Sequence, residues 1–419
     1  MTEPTSSAGR VAGYDALILD AASRQSLACV RSLGRAGLRV AAAECFAECD
    51  PLLPVLSFRS RYCAREFVLP SFAADPQGFG AAVTEFVREH PTRVVLPTSD
   101  GAISAMAPWR GKLADLGCAL ALPPDPVLAV TNDKDQTLAL ARKLGIAYPE
   151  SILLHGIDDL PGLLAEFDFP FVLKPTISWT GLAPARLQPT EVVNEAEAIE
   201  VITRFTGAGA DVLAQQWMSG RREGVTLFVS GGEVVASCGH IAHRTSPALG
   251  GASILRESMA TPPDIYDPAV ALVSAVGMDG VCEVEFRRDA QGRPMLMEIN
   301  TRLAGTLENA MCSGVDFPLM VWRWAAGLPI DRHGGYPAGV RTRWLYGEMR
   351  WLRDNRRRVG RPDSTSRGRA IWNFTREFFR TPHYDTLDWR DLGPARAELR
   401  ITVAAVRKSR DDPAADHLT

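Results

Sequence analysis

An alternation of apolar strands and amphipathic helices in the first third of the chain constrains its fold most. These segments follow one another in the order DALILD (15–20), a helix over 23–33, LRVAAAE (38–44), a helix near 79–89 and RVVLP (93–97). Such a βαβ rhythm predicts a parallel sheet with ligands near the carboxyl ends of its strands. The turn after the first strand, DAASRQS, lacks the GxGxxG fingerprint, so NAD binding is not predicted.

The pattern changes after the proline-rich segment ALPPDPVLA (121–129), which suggests a domain boundary. A helix, QTLALARKLG, is followed by the strands FPFVLKP (169–175), DVLAQQW (211–217), GVTLFVS (224–230) and EVVASCG (233–239), and by two more within 281–300. Glycines at Gly231, Gly232 and Gly292 suit hairpin turns, so antiparallel pairing and an α+β region are predicted here.

Composition restricts the classes of partner. The net charge is only −3, so no overall field favours nucleic acid or an anionic membrane. No segment has the apolar length needed to span a bilayer, and the polar N-terminus lacks the apolar stretch of a signal peptide. The eight cysteines show no CxxC pair and no zinc spacing, which indicates reduced thiols in a cytoplasmic protein.

Two short apolar strands within the stretch from Val281 to Thr306 contain three glutamates, at 283, 285 and 298, and the amide of Asn300. With a loop over Ala290–Arg293, the register sets Glu285 opposite Glu298 and Glu283 opposite Asn300 on one face. The other face is then formed by Cys282, Val284, Phe286, Met297 and Ile299. Like charges directly opposed on a sheet repel each other, and Mg2+ would resolve that conflict. The alternative is that nearby arginines, such as Arg287 and Arg302, neutralise the acids.

Two lysines upstream suggest phosphate contacts. Lys134 lies at the start of a helix, where Thr131 or Asn132 could cap and exposed N–H groups favour an anion, although a surface charge is the simpler interpretation. Lys174 ends an apolar strand, where a buried ammonium requires an anionic partner. The polar segment that follows, TISWTGLAPARLQPT, fits either a mobile lid over a phosphate or a plain surface loop.

A break at Ser219 and Gly220 separates two strands in AQQWMSGRREGVTLFV. A flat base could lie against this break, with backbone groups from Gln216 to Met218 reading its edge. Glu223, near the start of the second strand, could then hold a ribose hydroxyl.

These motifs, in this order and at these intervals, resemble the ATP-grasp superfamily over roughly residues 15–330. EINTR is similar to the biotin carboxylase and carbamoyl phosphate synthetase form of the motif, and QQWMSG with its following glutamate is similar to D-alanine:D-alanine ligase. Two departures stand out, because the lid segment has only Gly181 where many members have several glycines, and Gln215 stands where an acid is common.

The resemblance implies a mixed α/β and α+β fold. A pre-ATP-grasp parallel-sheet domain would span 1–125, and a two-lobed ATP-grasp domain would span 126–335, with lobes at about 126–215 and 216–335. A C-terminal extension would occupy 336–419. That extension is rich in tryptophan and arginine and lies outside the resemblance, so it could complete the acceptor pocket, mediate homodimerisation or only cover the core. Its run Arg356, Arg357 and Arg358, within a cluster from Arg341 to Arg369, is expected on a solvated surface or a mobile loop.

The resemblance also implies roles for individual residues. Lys134 and Lys174 would bind phosphates. The nucleoside would be held by Glu223 at the ribose and, at the adenine, by a hinge of four residues, Gln215, Gln216, Trp217 and Met218. Glu285, Glu298 and Asn300 would bind magnesium, with Mn2+ as an alternative metal. Arg302 would meet the phosphate or an anionic intermediate, so that Arg302 and Lys174 form the catalytic pair.

The acceptor site is expected in GHIAHRTSPALGGASILRES (239–258), where Arg244 could pair with a substrate carboxylate, although a surface loop closed by Gly250 and Gly251 fits nearly as well. Ser99 and Asp100, at the end of a strand in the first domain, are further candidates for substrate contacts.

The activity implied is an ADP-forming carboxylate–amine ligase that uses ATP and Mg2+ to join a small-molecule acid and an amine. Bicarbonate activation and a regulator that binds ATP without turnover are the alternatives.

Overall fold

The computed structural model describes residues 13–47, 49–182, 186–246, 251–357 and 364–411. The first sheet is parallel in the order β3-β2-β1-β4-β5, as the βαβ rhythm predicts. Its strands are β1 (Tyr14–Ile18), β2 (Val40–Glu44), β3 (Cys63–Val68), β4 (Thr92–Leu96) and β5 (Ala119–Leu120). The helices of this region are α1 (Arg24–Arg35), α2 (Pro76–Glu89), α3 (Asp100–Met106), α4 (Arg110–Asp115) and α5 (Asp125–Thr131).

Helix α1 shows why the sequence folds this way locally. Ser23 caps its N-terminus by accepting a hydrogen bond from the Ser26 N–H at 3.1 Å, and Gly37 adopts a positive φ of 83° just past its end. Between these signals, Val30 and Leu33 pack against one face of the sheet. Helix α2 covers the opposite face, so both faces of the parallel sheet are buried.

A second, antiparallel sheet has the strand order β6-β9-β7-β8. Its strands are β6 (Ser151–Leu154), β7 (Phe171–Pro175), β8 (Thr190–Val192) and β9 (Val212–Gln216). Helices α7 (Leu160–Glu166) and α8 (Glu195–Gly207) pack on one face through Leu163 and Phe205. The other face is left for the cleft described below.

The third sheet has the order β14-β13-β10-β11-β12-β15-β16 and is antiparallel except where β15 pairs with β16. Its strands are β10 (Arg222–Ser230), β11 (Glu233–Ser246), β12 (Ala252–Met259), β13 (Gly280–Arg288), β14 (Pro294–Asn300), β15 (Arg341–Arg343) and β16 (His383–Tyr384). Helices α6 (Lys134–Lys143), α9 (Pro263–Ala275), α10 (Leu307–Cys312) and α11 (Phe317–Ala325) lie nearby. Gly231 and Gly232 turn the β10–β11 hairpin with positive φ, as expected.

The β13–β14 hairpin has the predicted register where its glutamates lie. Glu285 pairs with Glu298, and Glu283 pairs with Asn300. A bulge then shifts the register, so that Phe286 faces Leu296 instead of Met297. The prediction that Met297 joins the apolar face is therefore wrong, because Leu296 enters the core and Met297 lines the cleft.

The C-terminal region continues the third sheet and adds the helices α12 (Leu345–Arg357), α13 (Arg367–Arg376) and α14 (Gly393–Asp411). Its arginines differ from the solvated cluster expected, because Arg343 is completely buried and ion-paired with Glu348. Arg356 is exposed as expected, whereas Arg358 lies outside the described residues. Over the part of the chain that the structure describes, no helix has both the length and the apolar character required to cross a membrane.

Buried ion pairs fasten this region to the rest of the protein. Asp385 pairs with both Arg24 and Arg256, and Asp391 accepts from Arg31 Nε at 2.9 Å. Each of these side chains is less than a tenth exposed. Removing one partner of such a pair leaves an uncompensated charge buried inside the protein.

We therefore expect Asp385→Ala to lower the free energy of unfolding by about 3–5 kcal/mol, because two buried guanidinium groups lose their carboxylate. The midpoint of urea unfolding measures this change. Asp331→Ala is the matched control, because Asp331 is 95% exposed and lies 3.6 Å from Arg323. An equal, small shift in both variants would contradict the clamping role of Asp385.

Candidate active site

A cleft lies between the second and third sheets and contains two adjoining cavities that meet at Glu298. The hinge cavity is lined by residues that include Lys174, Gln215, Gln216, Trp217, Met218, Arg222, Glu285, Met297 and Glu298. The Lys134 cavity is lined by residues that include Asp100, Lys134, Ser178, Arg186, Glu298 and Asn300. The structure thus brings together ten of the fourteen site residues expected from the sequence.

Strand alternation places Lys174 in the hinge cavity. Phe171 and Leu173 on β7 pack into the core, so Val172 and Lys174 face the cleft. The Lys174 Nζ donates to Gln215 Oε1 at 2.5 Å. Burial lowers the pKa of Lys174 to about 8, although the Glu298 carboxylate opposes this shift. The ammonium is therefore poised to gain from an anionic ligand.

Lys134 begins helix α6 and reaches the second cavity. Asp133, and not the expected Thr131 or Asn132, caps this helix by accepting from the Asp135 and Gln136 N–H groups. The Lys134 Nζ lies 3.0 Å from Ser178 Oγ. Burial lowers the pKa of Lys134, again against the attraction of Glu298. For both lysines, the nearby carboxylates therefore do not offset the effect of burial on the pKa.

The opposed carboxylates of the hairpin differ in their surroundings. Both oxygens of Glu285 accept from Arg222, at 2.8 Å from Nε and 2.6 Å from Nη2. Burial nevertheless raises the pKa of Glu285 to about 7, with Glu298 adding repulsion. Burial also acts to raise the pKa of Glu298, but nearby cations, Lys134 foremost, outweigh it and the pKa is lowered. Glu298 is therefore the ionised centre of the cleft.

The donor set fits a divalent cation that shares its coordination with phosphate. Two carboxylates and an amide oxygen are hard ligands, and the Asn300 Nδ2 donates to Glu298 Oε1 at 3.2 Å, which leaves Asn300 Oδ1 for a cation. Among the described residues, no group of three or more His, Cys, Asp or Glu side chains could hold a metal by itself. Arg222 already engages Glu285, so Glu298 and Asn300 are the more accessible donors.

The expectation for Glu223 is contradicted. Arg222 starts β10 and faces the cleft beside Glu285, so Glu223 points to the opposite face of the sheet. There Glu223 is fully buried and accepts from Arg288 Nε at 2.8 Å. It does not line either cavity, and a ribose contact from this residue is not supported.

The hinge segment, residues 215–218, lines the hinge cavity, but some of its backbone groups are already bonded. The Gln216 N–H donates to the Glu150 carbonyl at 3.0 Å, and Arg287 donates to the Met218 carbonyl at 2.7 Å. The Gln215 side chain is buried between Lys174 and Ser151. A base read by the Gln216 N–H or the Met218 carbonyl would compete with these bonds.

Arg302 and Asp100 form an ion pair at the rim of the Lys134 cavity. The Arg302 Nε lies 2.5 Å from Asp100 Oδ1, and Arg186 lies 2.9 Å from the other carboxylate oxygen. Burial opposes ionisation of Asp100, but Arg302 and then Arg186 lower its pKa. Ser99 instead caps α3 and donates to Asp20 Oδ1 at 2.9 Å. Its expected role in substrate binding is not supported, because its hydroxyl serves the fold.

Arg244 is also displaced from its expected role. Its guanidinium pairs with the buried Glu348 and lies 4.8 Å from the centroid of the Trp351 ring. Both partners belong to α12, so Arg244 anchors the C-terminal region and lines neither cavity of the cleft. Residues 247–250, which include Gly250 of the expected acceptor loop, lie outside the described residues.

Known proteins with similar sequences include an ATP-grasp family and several ligases. The family described as ATP-grasp in the biosynthetic pathway with Ter operon matches residues 213–347. A D-alanine–D-alanine ligase of Pseudomonas entomophila is 24% identical over 212 residues, covering 46% of this chain and 63% of that protein. A probable alpha-L-glutamate ligase of Stutzerimonas stutzeri is 26% identical over 225 residues, covering 52% of this chain and 68% of that one.

Solved structures share the fold at low identity. The biotin carboxylase of Campylobacter jejuni has a TM-score of 0.60 at 16% identity, covering 78% of this chain and 74% of that one. The L-amino acid ligase of Bacillus licheniformis has a TM-score of 0.56 at 17% identity, covering 76% and 75%. Residues 213–347 thus match an ATP-grasp family, and the fold of the chain is consistent with the multi-domain ATP-grasp fold. The chain spans about 63% of the length of the D-alanine–D-alanine ligases that it matches.

Two cations that line the cleft, Arg222 and Arg186, were not predicted from the sequence. Arg222 was overlooked because the strand was expected to begin near Glu223, and no faces were assigned to the residues before it. Arg186, in the segment expected to act as a lid, lines the Lys134 cavity and contributes to the lowered pKa of Glu298. Residues 183–185 of that segment lie outside the described residues. The signal available for both was their basic character close to motif positions.

The lowered pKa of Lys174 predicts a pH-dependent affinity for ADP. The pKa of Lys174 is about 8, so its ammonium is charged in the free protein at pH values below that. Bound phosphates would raise this pKa. The affinity should therefore fall as the pH rises above 8, by up to about tenfold per pH unit. Calorimetric titration with ADP between pH 7 and pH 9.5 measures this dependence.

Lys174→Met should weaken ADP binding at pH 7 by about tenfold or more and flatten the pH profile. Lys143→Met, on the exposed end of α6, is the matched control and should leave both unchanged. A variant at position 174 that keeps the wild-type pH slope would exclude Lys174 as the titrating group.

Glu298→Gln keeps the shape of the side chain and removes its charge. We expect the gain in ADP affinity on adding Mg2+ to disappear, so that dissociation constants with and without Mg2+ become equal, and turnover to fall by about 100-fold or more. The matched control is Glu233→Gln on the exposed turn of β11. Magnesium dependence that persists in Glu298→Gln would remove this carboxylate from the metal site.

Proposed function

We propose that the protein is an ADP-forming ligase that uses ATP and Mg2+ to join a carboxylate and an amine. The observation that carries this proposal is the convergence of two buried lysines and an ionised carboxylate between two sheets. Lys174 lines the hinge cavity and Lys134 lines the adjoining cavity. The carboxylate of Glu298, where the two cavities meet, attracts both ammonium groups. Such a site suits a polyphosphate that brings negative charge together with a divalent cation.

The hinge cavity would hold the nucleoside end of ATP. Trp217, Met218 and Met297 supply apolar surface for a flat base, and Lys174 stands at the inner end near Glu298. Lys134 and Arg186 would receive the terminal phosphates in the adjoining cavity. Because both lysines have lowered pKa values, phosphate binding would stabilise their charged forms.

Glu298 and Asn300 would hold magnesium, with Glu285 beside them after exchange of its bond to Arg222. When bound, this cation neutralises charge on the phosphates. The chain's own residues bind and orient: Lys134 and Lys174 line the two cavities that meet at Glu298, and Arg302 is attracted by Asp100 and Glu298. Catalysis of this kind depends on positioning and electrostatic stabilisation.

The reaction would proceed in two transfers. A substrate carboxylate oxygen attacks the γ-phosphorus of ATP, and ADP leaves, which gives an acyl phosphate. An amine then attacks the acyl carbon, phosphate leaves, and one proton is released as the amide forms. No protein nucleophile is needed, which agrees with Cys282, where burial raises the thiol pKa to about 12 and the side chain belongs to the core.

An assay of ADP formation from ATP in the presence of an acid and an amine tests this proposal. Formation of ADP and phosphate should require both an acid and an amine, and mass spectrometry should find the amide in equal amount to ADP. Acid alone and amine alone are the matched controls. ADP that forms with bicarbonate alone would instead support a carboxylase, and nucleotide binding without turnover over a broad substrate panel would support a regulator.

A further inference from the structure

A third cavity, of about 320 Å³, lies outside the nucleotide cleft, between the parallel sheet and the C-terminal region. One wall is formed by residues 22–25, at the N-terminus of α1, and by residues 53–56. The opposite wall contains Trp344, Tyr346 and Ile401. Its size is within the range of pockets that bind small molecules. We call it the extension cavity, because the C-terminal region supplies one wall.

Arg24 and Glu398, two of the three charged side chains of the extension cavity, are engaged within the protein, and the third, Asp50, accepts from the Leu52 N–H at 2.9 Å. Arg24 pairs with Asp385, and its guanidinium lies 4.2 Å from the centroid of the Trp344 ring. Glu398 accepts from Trp344 Nε1 at 2.6 Å and from Thr386 Oγ1 at 2.5 Å. With these groups engaged, the surface left to a ligand is dominated by Leu, Pro, Val, Ile and aromatic side chains. The cavity therefore favours an apolar group.

Two links place the extension cavity beside the proposed reaction centre. An added Cβ at Gly305 would lie 3.4 Å from Arg24 Nη2, and the next residue, Thr306, donates to Glu283 on the carboxylate face of the hairpin. On the other side, Ser23 Oγ lies 3.3 Å from Thr98 Oγ1, two residues before Asp100. A molecule in this cavity would thus lie next to the elements that hold Glu298 and Arg302.

We infer that the extension cavity binds the large apolar side chain, aromatic or branched aliphatic, of an amino-acid substrate. This inference rests on the proposed ligase function for the identity of the reaction, but not for the binding event. The amino acid's polar end would point past Gly305 to the hairpin, while its side chain packs against Trp344, Tyr346 and Ile401. The C-terminal region would then determine substrate specificity.

Filling the cavity tests the inference with the full chain. Wild-type protein should use L-phenylalanine with a kcat/KM about tenfold or more above that for glycine, each paired with the same second substrate. Ile401→Trp should reduce this ratio to about 1. Leu399→Trp is the matched control, because Leu399 lies on the same helix α14, is 63% exposed and does not line the cavity. The control should keep the wild-type ratio.

Two results would overturn the inference and leave the ligase function intact. One is an equal preference for L-phenylalanine in wild type, Ile401→Trp and Leu399→Trp. The other is the absence of any preference in wild type. Tyr346→Ala, which removes an aromatic wall, provides a second variant if Ile401→Trp does not fold, and it should also lower the ratio.

Calorimetric titration separates failure of the inference from failure of the ligase proposal. If no pair of substrates releases ADP, the ligase proposal fails, and L-phenylalanine is titrated into protein that contains Mg2+ and ADP. Binding that is present in wild type and Leu399→Trp but lost in Ile401→Trp supports the cavity assignment. Absence of binding to wild type, or unchanged binding to Ile401→Trp, overturns it.

Discussion

Two buried carboxylates that face each other across one hairpin set the charge requirement of the whole cleft. Glu285 and Glu298 are directly opposed, and at this spacing like charges repel. Arg222 satisfies Glu285 from the neighbouring strand, whereas Glu298 depends on Lys134 and Lys174, which belong to other elements. The charge of the hairpin is therefore balanced only when α6, β7 and β10 are all in place around it.

This balance connects ligand binding with the arrangement of the two sheets. Lys174 belongs to the second sheet and Glu298 to the third, so their attraction acts across the cleft. In the proposed function, a nucleotide with its cation would exchange these partners, because the lysines would gain phosphate and Glu298 would gain the metal. The ligand would then hold the sheets together through stronger, charge-assisted contacts.

Patterns of period two predicted the hairpin register, because opposed positions follow from the turn and the apolar face. These patterns failed where the alternation of side chains between the two faces was not known from the sequence. The bulge after Glu285 turned Met297 into the cleft, and the register of β10 against β13 puts Arg222, and not Glu223, on the face of Glu285. The partner of Arg256 could not be predicted at all, because Asp385 lies 129 residues further along the chain and no local pattern connects them.

The buried ion pairs of the C-terminal region are better explained by specificity than by stability. A buried pair recovers little more than its desolvation cost, and apolar residues of similar volume often stabilise a fold as well. Asp385, however, can satisfy Arg24 and Arg256 in one position only, since displacement would leave two guanidinium groups unpaired without water. The same position fixes Trp344 over Arg24. Precise placement of that wall is what a cavity needs in order to discriminate between apolar side chains that differ by a few carbon atoms.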